Sequence, residues 1–181
     1  MNDTSLARIY VAGGCFWGTE HLFRQVNGII STRTGYANST VKDPSYQQVC
    51  SGATNAAETV ELTYNPMAVD LRKILDLYLR SIDPIAVNRQ GNDSGTQYRT
   101  GIYYTTAGQR AIAEQAVADL QQHYTQPLAI EVLPLSNFYP AEDYHQDYLN
   151  KNPGGYCHLN PQLFAEARNT NIYFSTPDPS K

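Results

Sequence analysis

YVAGGCFWGTEHLF, residues 10–23, decides how the fold begins. With the residues just before it, the segment ARIYVA predicts a short buried strand, and the two glycines that follow predict a turn. From Cys15 to Val26 apolar residues recur at helical spacing, and Asn27-Gly28 ends the run. The pattern therefore places a cysteine, a phenylalanine and the only tryptophan of the chain where a strand turns into a helix.

The composition is typical of a globular chain with one domain. Of its 181 residues 41% are hydrophobic and 17% charged, and the formal net charge is -4. There is no Lys/Arg cluster to favour a nucleic-acid partner and no apolar run long enough to span a membrane. The N-terminus lacks a secretory signal pattern, so we expect a cytoplasmic chain. We expect a single monomeric domain over residues 1–168 and a flexible tail over residues 169–181.

Strands and helices alternate along the rest of the chain. Strands are predicted at AETVELTYNP, TGIYYTT and LAIEVLPL, and helices at VDLRKILDLYLRSID, residues 107–124 and AEDYHQDYLNKN. Asn160-Pro161 predicts the start of one more helical turn. Residues 29–56 and the segment NRQGNDSGTQYR are predicted as loops. The order indicates an α+β protein, a two-layer sandwich with long ordered loops and an irregular C-terminal segment, without fixing how the strands pair.

Cys15 is the first candidate for chemistry. The free N–H groups and the dipole of a helix N-terminus stabilise an anion, so we expect a thiol there to ionise more readily than a free one. A lone cysteine is otherwise a small buried apolar residue, and the Gly-Gly turn before it favours the reactive alternative. Phe16 and Trp17 are then either core residues or the walls of an apolar pocket beside the thiol.

Glu58 is the second candidate. On the predicted strand it shares a face with Val60, Leu62 and Tyr64, so its carboxyl points towards the core. Desolvation there would raise the carboxyl pKa and favour the neutral acid, which can donate a proton. The alternative is that Glu58 lies at the strand end and turns into solvent.

Four further candidates each have a simpler alternative. Cys157, in the Gly-rich segment PGGYCHLN, is either a free thiol or one that attacks an oxidised Cys15. Asp93 is either a turn former or a hydrogen-bond acceptor. Tyr46 and Tyr98 either pack in the interior or present their hydroxyls to a cleft.

The remaining cysteine and the histidines add little on pattern alone. Cys50 is interpreted as structural or incidental, and His145, in the polar segment EDYHQDY, as a helix-surface residue. Three widely spaced cysteines argue against a disulfide framework, and without a C-x-x-C or H-x-x-x-H pair we expect no metal site. Two functions stay open here: a cysteine hydrolase pairing Cys15 with His145, and a thiol redox sensor or peptide-binding module.

Six ordered segments, however, resemble the A-type peptide methionine sulfoxide reductases. They are GGCFWG, GYANSTVKDPSYQQVCSG, AAETVELTYNP, QGNDSGTQYR, FYPAEDYHQDYL and NPGGYC, and they extend from about residue 8 to residue 160. The resemblance implies a catalytic domain with a ferredoxin-like plait core. It also implies reduction of the S-epimer of methionine sulfoxide, free or within proteins. Thioredoxin or a similar dithiol would be the reductant, and no cofactor would be needed.

The resemblance implies a chemical role for three of the candidates. Cys15 would attack the sulfoxide and become a sulfenic acid, and Glu58 would act as the acid. Cys157 would resolve the sulfenic acid by forming a disulfide with Cys15. No second recycling cysteine follows Cys157, so a single resolving step should suffice.

The resemblance also implies supporting roles for the remaining candidate residues. Phe16 and Trp17 would receive the substrate methyl group, Tyr46 and Tyr98 would place hydroxyls around the sulfoxide oxygen, and Asp93 would be a supporting carboxylate. The chain departs from the family pattern beside the acid. Where the family reads Gly-His-Ala-Glu, this sequence has Asn-Ala-Ala-Glu at residues 55–58, which removes the histidine as a local support.

Overall fold

The computed structural model describes residues 5–169 as a six-stranded sheet with helices packed against it, and two further strands form a separate hairpin. The strands are β1 Ala7–Ala12, β2 Ile29–Ala37, β3 Ala57–Tyr64, β4 Arg89–Gln90, β5 Asp93–Ser94, β6 Gly101–Tyr104, β7 Glu131–Pro134 and β8 Phe138–Pro140. The helices are α1 Phe16–Phe23, α2 Tyr46–Cys50, α3 Leu71–Arg80, α4 Ala107–Gln121, α5 Tyr148–Lys151 and α6 Pro161–Arg168, with single 3-10 turns at Thr96–Tyr98 and Asp143–His145.

The sheet has the strand order β7-β6-β1-β3-β2-β8. All neighbours are antiparallel except β6 and β7, and β4 pairs only with β5. The predicted mixed α/β architecture is confirmed, and the pairing that the sequence left open places β1 and β3 at the centre. The loops that leave these two central strands therefore meet at the edges of one core.

Alternation along the central strands divides the sheet into two faces. Ile9 and Val11 of β1 and Val60 and Leu62 of β3 point to the same side and are all fully buried. They join one cluster with buried residues of three helices: Leu22 and Phe23 of α1, Ile74, Leu75, Leu77 and Tyr78 of α3, and Ala113 and Ala116 of α4. Burying a large aliphatic side chain of this kind contributes about 1.5–3 kcal/mol, so this cluster holds α1 on the sheet.

The prediction of a loop over residues 29–56 is wrong in two places. Residues Ile29–Ala37 form β2, and Tyr46–Cys50 form α2, which Ser45 begins with a capping box closed by Gln48. β2 was missed because its first half is largely exposed and has two adjacent isoleucines followed by polar residues, so it lacks a regular hydrophobic alternation. Its burial begins only at Thr34, where it pairs with the start of β3.

The helix predicted at AEDYHQDYLNKN is also wrong, because tertiary contacts divide it. Asp147 adopts a left-handed conformation (φ +52°), and its N–H donates to the buried carboxylate of Glu20 at 2.7 Å. The side chain of Gln146 bonds both the N–H and the carbonyl of Thr34 in β2. These bonds replace the helix with a 3-10 turn and the short α5, and they direct His145 inwards.

Three further expectations concern the last helix, the C-terminal tail and membrane-spanning segments. Asn160 accepts a hydrogen bond from the N–H of Gln162, so the predicted capped start of a last helix is confirmed. Apart from residue 169, the predicted tail lies outside the described residues. Within residues 5–169 no helix is both long and apolar enough to cross a membrane.

Candidate active site

Cys15 lies immediately before the first turn of α1. The turn from β1 is possible because Gly14 has a φ of +75°, which glycine adopts without strain, and its N–H donates to the carbonyl of Tyr98 at 3.2 Å. Cys15 is only 8% exposed, and its thiol is free. The strand–turn–helix predicted from the sequence therefore presents one sheltered sulfur beside the helix N-terminus.

The expectation that this thiol ionises more readily than a free one is wrong for the protein without substrate. Burial raises the pKa of Cys15 far above the ordinary value, and ionisation of Glu58, Asp93 or Cys157 nearby would raise it further. The backbone N–H of Trp17 at the start of α1 acts in the opposite direction but is outweighed. Desolvation therefore exceeds the effect of the helix N-terminus at this position, and the resting group is the thiol.

Glu58 is buried next to the same helix end. It is 2% exposed, and its Oε1 accepts a hydrogen bond from the N–H of Phe16 at 3.2 Å. Burial raises the pKa of Glu58 to about 8; the Phe16 N–H opposes this shift and the charge of Asp93 adds to it. Its second oxygen, Oε2, is shielded from solvent and has no partner within the described residues. The carboxyl is therefore held at one oxygen, uncharged near neutral pH and free to donate from the other.

Two tyrosines belong to the electrostatic surroundings of this carboxyl. Burial raises the pKa of both Tyr46 and Tyr98, and the charge of Glu58 raises each of them further. Tyr46 starts α2, and its N–H is anchored by Glu142 at 3.2 Å. Both hydroxyls therefore keep their protons; that of Tyr46 is hydrogen-bonded to Cys50, which also raises its pKa, and would have to exchange this partner to donate to a substrate.

The segment that carries Tyr98 is fastened to the strand that carries Glu58. Arg99 is 9% exposed, and its guanidinium donates to the carbonyl of Asn55 at 2.9 Å and to that of Thr96 at 2.9 Å. Asn55 lies two residues before the start of β3. The 3-10 turn with Tyr98 and the first residues of β3 therefore keep a fixed relation.

Trp17 forms an aromatic wall with His145 of the 3-10 turn Asp143–His145 and with Tyr148 of α5. Its ring stacks on that of Tyr148 with centroids 3.8 Å apart and planes 10° from parallel, and its Nε1 donates to Nδ1 of His145 at 3.0 Å. Phe16 is only 1% exposed and packs between His145 and Tyr36. Trp17 is thus partly accessible, whereas Phe16 supports the wall from the interior.

The interpretation of His145 as a helix-surface residue is wrong. It is 1% exposed and contacts the rings of Phe16, Trp17, Tyr46 and Tyr144. Burial lowers the pKa of His145, so the ring is neutral, and its Nδ1 is occupied by Trp17. It makes no hydrogen bond to Cys15, which removes the geometric basis for a hydrolase pair.

Asp93 and Cys157 come from opposite parts of the chain and meet beside α1. Asp93 begins β5, and its Oδ2 accepts a hydrogen bond from the hydroxyl of Tyr156 at 3.0 Å. Cys157, which follows Tyr156 in the chain, has a free and partly buried thiol. Its Sγ lies 3.2 Å from the position that a side-chain Cβ on Gly18 would occupy. The last glycine of GGCFWG, Gly18, therefore leaves room for this sulfur one turn from Cys15.

Sequence reasoning missed two residues that hold the site in place. Tyr36 of β2 is fully buried opposite Glu58, and its hydroxyl donates to Oε1 of Glu142 at 2.9 Å. The other oxygen of Glu142 anchors Tyr46. The missing histidine of the family pattern has no polar replacement, because Ala56 is buried among apolar side chains and the Phe16 N–H holds Glu58 instead. Only correct prediction of β2 could have revealed Tyr36.

Two remaining expectations concern Cys50 and metal binding rather than Cys15 and Glu58. Cys50 is exposed at the end of α2, where its thiol is within hydrogen-bonding reach of the Tyr46 hydroxyl. Across residues 5–169 no group of three or more His, Cys, Asp or Glu side chains is placed to hold a metal ion. The chemistry available from the described residues is thus that of a sheltered thiol beside an uncharged carboxylic acid.

Known proteins are similar to this chain in sequence and in fold. A family model described as peptide methionine sulfoxide reductase matches residues 7–176. Peptide methionine sulfoxide reductase MsrA of Lachnoclostridium phytofermentans is 49% identical over 169 residues, which cover 93% of this chain and 99% of the relative. Reduced Mxr1 from Saccharomyces cerevisiae has a TM-score of 0.82 at 38% identity, covering 87% of this chain and 91% of that one. Mxr1 solved in complex with Trx2 shares the fold with a TM-score of 0.58 at 23% identity, covering 81% and 87%.

Proposed function

The chain belongs to the peptide methionine sulfoxide reductase family and is an oxidoreductase of the A type; from that premise we propose that it reduces the S-epimer of methionine sulfoxide, free and within proteins, through a sulfenic acid at Cys15. The observation that carries the proposal is the uncharged carboxyl of Glu58, held by the N–H of Phe16 beside the thiol. A sulfoxide is a weak electrophile until its oxygen is protonated or strongly hydrogen-bonded, so this acid supplies what the thiol lacks.

In the first step the sulfoxide oxygen accepts the proton of Glu58, with the hydroxyls of Tyr46 and Tyr98 donating to the same oxygen. The sulfur of Cys15 attacks the substrate sulfur, and its thiol proton returns to the Glu58 carboxylate. The oxygen passes from the substrate sulfur to the Cys15 sulfur, which gives methionine and a sulfenic acid at Cys15. The enzyme sulfur is oxidised by two electrons, the substrate sulfur is reduced by two, and Glu58 ends with its proton.

The apolar wall accounts for recognition of the methyl group. Trp17 presents a ring face that is fixed by stacking on Tyr148 and by the bond to His145, so the wall is ordered before substrate arrives. Phe16 backs it from the interior. A methyl group packed against this wall would leave the sulfoxide oxygen directed to Glu58, which selects one configuration at sulfur.

Recycling proceeds through Cys157. Its thiol attacks the sulfenic sulfur, a disulfide forms between Cys15 and Cys157, and the sulfenic oxygen leaves as water. A dithiol such as thioredoxin then exchanges with this disulfide and restores both thiols. A relative with the same fold, Mxr1, has been solved in complex with Trx2, which supports thioredoxin as the reductant.

We also infer that the core is a ferredoxin-like plait. Four of the strands have the order β6-β1-β3-β2 and are antiparallel, and α1 and α3 connect β1 to β2 and β3 towards β6. This split arrangement of two strand–helix–strand units is the pattern of that fold. β7 and β8 extend the sheet at its two edges.

The test is a single turnover without reductant. One equivalent of methionine S-sulfoxide is added to the reduced protein, released methionine is measured by chromatography, and thiols are mapped by alkylation and mass spectrometry. We expect one methionine per chain, a disulfide between Cys15 and Cys157, and a free thiol at Cys50. The R-epimer, which the wall and Glu58 cannot both accommodate, should give none.

Three substitutions assign the thiols. Cys157→Ser should still release one methionine but stop at the sulfenic acid, which dimedone traps, and Cys15→Ser should release none. Cys50→Ser is the matched control for thiol mapping: Cys50 is exposed, and serine can still accept a hydrogen bond from the Tyr46 hydroxyl, so this variant should release one methionine and form the same disulfide. Release of methionine by Cys15→Ser would overturn the assignment of the nucleophile.

A further inference from the structure

The ring of His158 lies against the backbone between the two active-site cysteines. Its Nε2 is 2.8 Å from the position of a Cβ on Gly14, the residue before Cys15. Its Nδ1 is 3.1 Å from the position of a Cβ on Gly18, and the Sγ of Cys157 is 3.2 Å from that same position. Because both atoms lie within 3.2 Å of the same point, the distance between Nδ1 and the Cys157 sulfur is at most about twice 3.2 Å. Nε2 faces the Cys15 end of the helix.

Both nitrogens of this ring are available. They are shielded from solvent, and neither makes a hydrogen bond of ordinary geometry within the described residues. Burial lowers the pKa of His158, while the charge of Asp93 and the nearby carbonyl of Gly13 oppose that shift without reversing it. The ring is therefore neutral near pH 7 and has a free lone pair on one nitrogen and a proton on the other.

The resolving thiol needs such a base. Burial raises the pKa of Cys157, and the N–H of Leu159 only partly offsets this, so little thiolate is present near neutral pH. The thiolate is the form that attacks a sulfenic sulfur. Gly154 precedes the Tyr156-Cys157-His158 run by two residues, and nothing lies within 4 Å of the position of a Cβ on it, so the chain has room to pivot there as the sulfur and the ring approach Cys15.

We propose that His158 is the general base and proton relay for disulfide closure. Nδ1 removes the proton from the Cys157 thiol as its sulfur attacks the sulfenic sulfur of Cys15. The sulfur–oxygen bond at Cys15 breaks, and Nε2–H gives its proton to the departing oxygen, which leaves as water. One S–S bond forms, one S–O bond breaks, and the ring ends neutral in its other tautomer. This inference rests on the proposed function, because the sulfenic acid is a product of that reaction.

The test separates closure from methionine release in single-turnover experiments on the full chain. We compare His158→Asn and His158→Gln, which keep a polar planar group without a base. General-base catalysis typically contributes 10²–10⁴-fold, so closure should slow by at least about 10²-fold more than methionine release. His123→Asn is the matched control, since His123 is exposed after α4, and it should alter neither rate.

A pH profile distinguishes base catalysis from packing. The charged group that acts on His158 is Asp93 from β5, and the thiol nearest its ring on the Gly18 side is Cys157 of its own segment. The variants depend on Cys157 ionising by itself, so their closure rate should rise by about tenfold per pH unit between pH 6 and 8. Wild-type closure should rise much less steeply over that range.

Rescue gives a second measurement should the polar variants pack poorly. In His158→Ala, added imidazole should restore closure, whereas pyrazole, which has a similar shape but is far less basic, should not. Closure at the wild-type rate in both polar variants, equal rescue by pyrazole, or parallel pH profiles would each overturn the proposal. Failure of the wild type to release methionine would instead count against the proposed function.

Discussion

Replacing Glu58 with glutamine should make the fold less sensitive to pH. Glutamine keeps the shape of the side chain and can accept from the Phe16 N–H, but it cannot ionise. In the native protein burial raises the Glu58 pKa from an ordinary 4.5 to about 8. At about 1.4 kcal/mol per pKa unit, this difference corresponds to a loss on the order of 5 kcal/mol once the carboxyl is forced to ionise in the folded state.

The sign follows from which state holds the proton. Between pH 4.5 and about 8 the unfolded chain has lost the Glu58 proton and the folded protein keeps it. The contribution of this group to the free energy of unfolding is therefore complete below pH 4.5 and declines as the pH rises towards 8. Glu58→Gln lacks that decline, so it should become more stable relative to wild type with each unit of pH.

Urea denaturation of the reduced protein, followed by Trp17 fluorescence at pH 5, 6, 7 and 8, measures this difference. Glu61→Gln is the matched control. It lies on the same strand, but its carboxylate already accepts from Tyr10 at 2.8 Å and from Arg33 at 3.1 Å. Parallel stability curves for wild type and Glu58→Gln over this range would refute the assignment of a buried neutral acid.

Three further substitutions test the site. Gly18→Ala places a Cβ 3.2 Å from the Cys157 sulfur, so thiol mapping after one turnover should show methionine released but the disulfide formed several-fold more slowly. Tyr46→Phe and Tyr98→Phe each remove one proposed donor to the sulfoxide oxygen, and single-turnover rates of methionine release should fall by roughly 10²-fold, the usual effect of losing one such donor. Unchanged release in both tyrosine variants would exclude the hydroxyls from the first step.

The parts of the fold that could be predicted are those with a strong local signal. The Gly-Gly turn and the apolar spacing around Cys15 place the start of α1 correctly, and strict alternation along AETVELTY gives β3 its register. Because side chains on a strand alternate, that register is enough to aim Glu58 at the core. The two central groups of the site thus follow from local pattern.

What could not be predicted depends on contacts between distant segments. β2 is buried only where β3 and β8 flank it, so its own residues carry a weak signal. His145 faces inwards because Glu20 and Gln146 divide a stretch that reads as one helix. The pKa of Cys15 was predicted in the wrong direction because helix position is visible in a sequence and the depth of burial is not.

The raised pKa values of Cys15 and Glu58 have the same first cause, which is exclusion of water from their shared surroundings. One consequence is that each group holds its proton in the resting protein, so the thiol is protected from oxidants that need a thiolate. A second is that the two groups are not ionised together, since a thiolate beside a Glu58 carboxylate would be doubly unfavourable. A sulfoxide oxygen that takes the Glu58 proton leaves a carboxylate able to receive the proton of Cys15. In the proposed mechanism, the reactive thiolate is therefore generated only when an acceptor of the right chemistry occupies the site.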